Sequence, residues 1–573
     1  MKYRWSIAES KPSLTRLLMA ELKVGSLLAQ CLVNRGHTTP ALARSFLEPR
    51  LKSLADPFLL PNMSVAVDRL FVARERSEAL VIFGDYDVDG VSATALLTTV
   101  LEPLGWSVRQ FLPDRFDEGY GLTQAGVENC LEQHPVTLLL AVDCGSTAVD
   151  QIAWLRERGV DVIVLDHHQF GTVQPNATAL VNPQLGDRFR ELCSAGLAFK
   201  LAHALIKRGR ELGLVGFDRF ELKPLLDFVA LGTVADLVPL IGENRILVST
   251  GLERLTVTTR PGLVALKEVA GVAGDCAPYS VGFQLGPRLN AAGRLETARA
   301  ALDLLLAEDL DSARPLAEAL DQTNRERQNI ERQMADDVVG LIRSKFDPVR
   351  DAVIVEGSSL WHIGVVGIVA SRVLREFYRP TLIIGGDGAY WRGSGRSVAG
   401  FDLAAALREC SDLLVKHGGH AMAAGVTLQP KNLDALRERL NLLARRSLTV
   451  EQMIPEIQLD AEVKLADLSV EQLDEIARLQ PFGQGNPSVQ LVVRRLRHTR
   501  PPQRMGRDQQ HWKLWVADPA AAAAPPIEVV WWGAGTAQPP TSSVFDLAAA
   551  PEFNSYHGTR KLQLKMIDWR AVV

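Results

Sequence analysis

Three short segments, each directly after an apolar run, carry the residue types best suited to chemistry: Gly84-Asp85-Tyr86-Asp87-Val88-Asp89-Gly90, Asp143-Cys144-Gly145 and Asp166-His167-His168. A lone aspartate in such a place usually caps a helix N-terminus. Three successive aspartate-bearing segments with two histidines are not explained by capping. Carboxylates that converge on one crevice repel one another unless a cation neutralises them. Oxygen ligands with an imidazole suit hard or borderline divalent ions, so the expected cofactor is Mg²⁺ or Mn²⁺.

The elements that must position these residues are legible as alternating patterns. Residues 79–84, 107–112, 136–142 and 161–165 are short, nearly all-apolar runs, with helical stretches at 92–103, 123–132 and 147–158 between them. Strands buried on both faces and alternating with helices predict an α/β fold with a doubly wound parallel sheet. Such sheets bind ligands at the C-terminal ends of their strands, where the three segments fall. Residues 194–272 turn mostly helical. One long charged helix is predicted over 314–345, bridging to a smaller α/β segment over 351–429 with strands at 352–355 and 381–384. Runs at 488–494, 511–517, 527–532, 544–549 and 561–568 predict five short strands, with the alanine-rich stretch 517–526 as a loop. They suggest a small β-barrel.

Bulk properties bound the rest. A chain of 573 residues is too long for one core. Its 47% hydrophobic and 23% charged residues are ordinary for a globular protein. No apolar run approaches the roughly 20 residues of a membrane span, and no apolar stretch follows the N-terminal charges as in a secretory signal. Six scattered cysteines form no CxxC pair, which predicts reduced thiols in a cytoplasmic protein. Net charge is −4, so any nucleic-acid binding must come from local basic patches.

The segments GDYDVDG, VDCG and LDHH, in that order and spacing, resemble motifs I to III of the DHH phosphoesterase superfamily. Leu231-Gly232-Thr233-Val234-Ala235-Asp236 resembles its fourth motif. Gly418-Gly419-His420-Ala421-Met422-Ala423-Ala424-Gly425 is similar to the signature of the associated DHHA1 domain. Gly286-Pro287-Arg288-Leu289-Asn290-Ala291-Ala292-Gly293-Arg294 and Gln480-Pro481-Phe482-Gly483 resemble the RecJ branch of bacterial nucleases. The implied domains are an N-terminal helical region (1–65), a DHH catalytic domain (66–313), a connecting helix (314–345), a DHHA1 domain (346–432) and an OB-like nucleic-acid-binding domain (455–573).

The resemblance implies that Asp85, Asp87, Asp143, His167 and Asp236 hold two metal ions, with Asp143 on the central strand as the bridge. Asp227 rivals Asp236. Some superfamily members carry a histidine four residues before the first aspartate; Val81 stands there instead, so one metal should be held less tightly. Two ions about 4 Å apart can activate a water and neutralise a leaving oxygen in phosphodiester hydrolysis. His168 is then left to hydrogen-bond the phosphate or assist the leaving group, and Asp166 to orient a histidine.

Substrate contacts are expected from Arg115 and Tyr120 in the loop after the second strand, from Arg288 and Asn290, from Arg372, from Ser394 and Arg396 in GSGRS, and from His420. Guanidinium groups recognise phosphate bidentately, and glycines let backbone amides approach an anion. By resemblance, the GSGRS and RFDEGYG positions form a pocket for a terminal 5′-phosphate, and Tyr120 stacks on a base. Basic residues from Arg494 to Lys513, interleaved with His498, Trp512 and Trp515, fit an OB-fold that guides single strands.

The function so implied is a 5′→3′ single-stranded-DNA exonuclease of recombination and repair that releases 5′-mononucleotides. The expected partners are single-stranded DNA and, by resemblance, a single-strand-binding protein and a helicase. A monomer away from membranes is expected. Two other functions compete. A short-oligoribonucleotide or nucleotide phosphatase would be a shorter chain, and a non-enzymatic helicase subunit would have lost metal ligands.

Overall fold

The structure is a computed structural model describing residues 3–572 other than 116, 296, 387, 521–524, 536, 541–542 and 555–559. The alanine-rich stretch expected as a loop thus lies partly outside the described residues. The chain divides into two units. One runs from Ser45 to Arg327 and includes Gln480–Pro487. The other takes the chain up to Arg44, Gln328–Leu479 and the chain from Ser488 onward.

In the first unit, β1 (Ala79–Phe83), β2 (Ser107–Phe111), β3 (Leu138–Val142), β4 (Asp161–Leu165) and β5 (Ala179–Val181) make a five-stranded sheet in the order β2-β1-β3-β4-β5. Every pairing is parallel. Five consecutive buried residues in β3 explain its unbroken apolar sequence, because helices cover both faces. One of them, α1 (Val88–Leu101), buries all but one of its residues. Burying a Val or Leu side chain contributes about 1.5–3 kcal/mol, so the element under the site is strongly anchored in the core. Further on come α2 (Ser194–Glu211), α3 (Leu226–Ala235) and α4 (Gly286–Leu295). The GPRLN segment is thus helical. The Gln480–Gly483 segment belongs to this unit, where Arg245 NH2 donates to the Gln480 carbonyl at 2.7 Å.

The long charged helix is α5 (Leu310–Lys345), whose residues divide between the units after Arg327. In the second unit, β6 (Ile354–Ser358), β7 (Thr381–Gly385), β8 (Trp391–Arg396), β9 (Leu414–His420) and β10 (Ala423–Leu428) form a mixed sheet in the order β9-β10-β8-β7-β6. The helix α6 (Val366–Phe377) lies between β6 and β7 in sequence. The GSGRS and GGH segments, for which the sequence predicted no strand, are mostly strand. A Cβ at Gly393 would lie 2.6 Å from Ile384 Cγ1, and one at Gly395 2.5 Å from Leu403 Cδ2, so these glycines serve close packing.

Strands Leu491–His498, His511–Ala517, Ile527–Trp531, Phe545–Asn554 and Lys561–Ala571 pair in a ring, closed by Arg497↔Ala517 and His498↔Val516. This is a five-stranded OB-like barrel. The N-terminal strand Arg4–Ile7 pairs in parallel with Glu456–Leu459. No single helix among the described residues is long and apolar enough to cross a membrane. One bent pair, Pro12–Leu22 with Ser26–Asn34, passes on length and composition, but it turns by 119° and buries Leu18, Leu28 and Leu32.

Candidate metal centre

The chain leaves β1 through Gly84 and turns so sharply that Gly90 packs on Asp85; a Cβ there would lie 2.7 Å from the Asp85 backbone. Asp87 caps α1, its Oδ1 accepting from the amides of Asp89 at 2.9 Å and Gly90 at 3.2 Å. The turn leaves Asp85 buried with Oδ1 lacking any hydrogen-bond partner.

Beyond β3, Asp143 takes a left-handed conformation with φ of 65°, a cost paid only where surroundings enforce it. Its amide continues the ladder to the Leu165 carbonyl, and its side chain points into the carboxylate cluster. Ser194 Oγ donates to Asp143 Oδ1 at 2.8 Å. His167 Nε2 lies 3.4 Å from Asp143 Oδ1, 3.6 Å from Asp236 Oδ2 and 4.0 Å from Asp89 Oδ2. It hydrogen-bonds none of them.

Three overlapping donor groups result. Ligand atoms of Asp85, Asp87 and Asp143 lie within 4.8 Å of one another, as do those of Asp143 with His167 and His168, and of His167 with Asp89 and Asp236. Asp143 belongs to the first two and His167 to the last two. Asp227 stands apart, bound to Thr258 Oγ1 and Arg260 Nε.

The DHH turn is braced from behind. Asp166 Oδ1 accepts the His167 and His168 amides at 2.8 and 3.2 Å and faces His168 Nδ1 at 2.7 Å; Oδ2 accepts the Ser146 amide. Asn182 Nδ2 donates to Ser146 Oγ and to the His168 carbonyl. The outer nitrogen of His168, Nε2, meets the Tyr120 hydroxyl at 3.0 Å.

Electrostatics follow from this crowding. Burial, then repulsion from Asp89, Asp87 and Asp85, pushes Asp143 well above the carboxylate range. Burial and Asp87 do the same to Asp85. Asp236 is pushed up to about 9 by burial and by Asp89 and Asp87. Burial also holds His167 below its ordinary value, favouring the neutral imidazole that ligates metals. Burial would raise Asp166, but its hydrogen bond and charge interaction with His168 outweigh that and hold it low. Its partner rises to about 9 despite burial. Asp85, Asp143 and Asp236, together with Asp87, which burial and Asp89 also push up, resist ionising at once; with a buried orphan oxygen and a buried orphan imidazole nitrogen they fit divalent cations.

The expected substrate residues divide. Arg115 lies over the Tyr86 ring at 5.3 Å, and Tyr120 meets Tyr86 edge-on, so both stand at motif I. Asn290 Oδ1 accepts the Val88 amide at 3.2 Å, holding the motif I turn. Arg288 is bonded to Asp321 Oδ1 at 2.8 Å and to the Gln284 carbonyl, tying α4 to α5. In the other unit, Ser394 and Arg396 share β8, with Arg396 NH1 on Ser394 Oγ at 2.9 Å. A Cβ at Gly367, in the first turn of α6, would lie 3.1 Å from Ser394 Oγ and 3.3 Å from Arg396 NH2. Arg372, on the same helix, faces Asp336 at 3.5 Å. His420 ends β9, exposed.

Sequence reasoning assigned no role to Asp89, Ser194, Ser146 or Asn182. Asp89 is the third acid of motif I, so its spacing was a signal. Ser146 directly follows the VDCG segment, whereas Ser194 and Asn182 lie in segments without pattern.

A parallel sheet bearing paired donor groups at its strand ends defines a metal-dependent phosphoesterase of the DHH class. The DHH family N-terminal domain model matches residues 79–233, the DHHA1 domain model 350–446 and the RecJ OB domain model 459–568. The chain is 37% identical to the single-stranded-DNA-specific exonuclease RecJ of Bacillus subtilis, over 99% of this chain and 71% of that protein. The crystal structure of Thermus thermophilus RecJ in complex with Mn²⁺ superposes with a TM-score of 0.85 at 31% identity, covering 100% of this chain and 80% of that one. The Mg²⁺ complex gives 0.79 at 29%, covering 100% and 79%. The chain belongs to the RecJ family.

Proposed function

We propose that this chain is a single-stranded-DNA exonuclease that digests 5′→3′ and releases 5′-mononucleotides. The observation that carries the hydrolytic reading is Asp143: one buried carboxylate shared by two donor groups at the end of the central strand. Asp85, Asp87 and Asp143 would hold one ion, and Asp143, His167 and Asp236 the other. Bound Mg²⁺ or Mn²⁺ would supply charge neutralisation and water activation for phosphodiester hydrolysis. His168 presents Nε2 to a phosphate oxygen, with Asp166 fixing the ring through Nδ1. Arg115 adds positive charge at the motif I turn, and Tyr120 offers a face for a base.

The substrate class comes from the family, whose curated members are named for single-stranded DNA. Polarity rests on Ser394 and Arg396 beside the first-turn amides of α6. That arrangement suits a phosphate, since a helix N-terminus favours negative charge, with the Ile368 and Val369 amides already turned onto the Val365 carbonyl at 3.0 Å. Arg372 and His420 belong to the same unit and are assigned to the strand's backbone, as is Arg288, whose present partner is Asp321. The OB-like barrel guides the strand. We place the protein in the cytoplasm as a monomer, working with a single-strand-binding protein and a helicase.

Digestion of 5′- and 3′-labelled single and double strands with Mg²⁺ and Mn²⁺ tests this. Early release of the 5′ label as mononucleotide from single strands alone is expected. Equal attack on duplex, or initial release from the 3′ end, contradicts it.

A further inference from the structure

We propose that Ser194 is a positioning residue for the metal centre: its hydroxyl fixes the Asp143 carboxylate for ligation while its backbone amide draws Asp89 out of the ligand set. The inference rests on the two-metal reading above.

Ser194 is fully buried at the first position of α2 and contacts two of the clustered acids at once. Its amide donates to Asp89 Oδ2 at 2.7 Å, and the Ala195 amide donates to Asp89 Oδ1 at 2.9 Å. Both oxygens of Asp89 are thus engaged by the first turn of a long helix, whose dipole favours a negative charge there. Gly232 closes the other side, where a Cβ would lie 2.6 Å from Asp89 Oδ1. By distance from His167 alone, Asp89 competes with Asp236 as a ligand. The helix turn answers that competition.

The hydroxyl acts on the other acid. A carboxylate that serves two ions must present its oxygens in one fixed plane. Among the described residues, Ser194 Oγ is the one group that hydrogen-bonds the Asp143 side chain. The histidines stand farther off, at 3.4 and 4.0 Å. The backbone of Asp143 is set by its left-handed conformation and by Leu165, so the remaining freedom is side-chain torsion. Ser194 removes it. Partners of ligating groups typically change metal affinity by about 10–100-fold.

The test is Mn²⁺ binding to the full chain, read by the paramagnetic resonance of free Mn²⁺, for wild type, Ser194→Ala and Ser194→Gly. Both variants delete the hydroxyl and keep the amide, so Asp89 stays on the helix; if one fails to fold, the other carries the comparison. The expected result is a Mn²⁺ dissociation constant raised by about 10-fold or more. The Mn²⁺ concentration for half-maximal activity should rise in parallel, with the rate at saturating Mn²⁺ within about 3-fold of wild type. A folded variant with wild-type Mn²⁺ affinity overturns the proposal, and a lower metal-free thermal midpoint with unchanged affinity overturns it equally, assigning Ser194 to the fold alone. If wild type itself binds no Mn²⁺, the two-metal reading fails instead.

Discussion

The Tyr120 hydroxyl lies 3.0 Å from Nε2 of His168, so the outward nitrogen of that imidazole is occupied before any phosphate arrives. Substrate must displace the hydroxyl to reach the nitrogen. The ring and the hydroxyl of Tyr120 therefore have separable effects. Tyr120→Phe should change kcat/KM by no more than the net worth of one hydrogen bond, about 1 kcal/mol. Tyr120→Ala should lose about 1–3 kcal/mol, mainly in KM, because it removes the stacking face. Steady-state kinetics on a short oligonucleotide would show this split, and equal losses in the two variants would exclude stacking.

Asp87 combines two roles that substitution can separate, since it caps α1 and stands in the first donor group. Asparagine caps helices about as well as aspartate. Asp87→Asn should therefore lower activity by orders of magnitude without lowering the metal-free thermal midpoint. Asp87→Ala should lose activity as severely and cost about 1 kcal/mol more stability than the asparagine variant. Substantial activity in either at saturating Mg²⁺ would remove Asp87 from the ligand set.

The metal-free protein should lose stability as pH rises. Asp236 titrates near 9 in the fold, against about 3.9 for an unfolded aspartate. Across that interval the native state keeps a proton that the unfolded chain has released, so stability declines toward higher pH. His168, also raised to about 9, acts with the same sign: its contribution is complete below about 6.5 and is lost on approach to 9. Asp166, held low, contributes at every pH above the carboxylate range and adds no slope here. Metal binding expels these protons, so stabilisation by Mg²⁺ should grow as pH rises. Thermal midpoints with EDTA and with Mg²⁺, at about pH 6 and about pH 8.5, measure both trends. A metal-free midpoint that rises over this range would contradict the first.

The barrel makes a separate prediction. Deleting it from residue 455 would strip Arg4–Ile7 of its strand partner, Gly25 of Glu475 and Asn34 and Arg35 of Asp460, so truncation confounds binding with folding. Arg495, Arg497 and Arg507 are exposed and have no ion-pair partner among the described residues. Replacing all three by alanine should weaken binding to long single strands. Each lost phosphate contact lowers the slope of log K against log salt by about 0.7, so the three together give a change of about 2. An unchanged slope would exclude these arginines from the strand's path.

How much was legible depended on whether chemistry and periodicity coincided. Asp85, Asp87, Asp143 and the DHH turn each follow an apolar run, so the strand pattern and the acids announced one another. The strand Ala179–Val181 was missed because three apolar residues carry no period. Strands β8 and β9 were missed because Gly393, Gly395, Gly418 and Gly419 imitate loop composition, although all but Gly418 are required by close packing. Arg288 looked like a phosphate ligand, and only its distance to Asp321 shows it already engaged. Ser194 could not be found at all, since its significance lies in reaching two acids that are remote in sequence.

Polarity yields the last prediction, from Ser394, Arg396 and the start of α6. An exonuclease must distinguish an end from an internal phosphate, and a terminal phosphate carries nearly one more negative charge. A guanidinium, a hydroxyl and first-turn helix amides together can bind that extra charge. Gly367 leaves them room, because a Cβ there would crowd both Ser394 Oγ and Arg396 NH2. Digestion should therefore be faster on 5′-phosphorylated than on 5′-hydroxyl strands. Arg396→Ala should narrow that preference more than it slows cleavage of the hydroxyl end, since the lost contact is to the terminal phosphate. A charge-assisted hydrogen bond is worth about 1.5–3 kcal/mol, so the preference should fall by about 10-fold or more. Gly367→Ala should act in the same direction by filling the space, without removing a charge. Paired oligonucleotides with and without the 5′-phosphate, digested by wild type and both variants, decide the matter. Equal slowing on the two ends would show that Arg396 serves the strand at large and not its terminus.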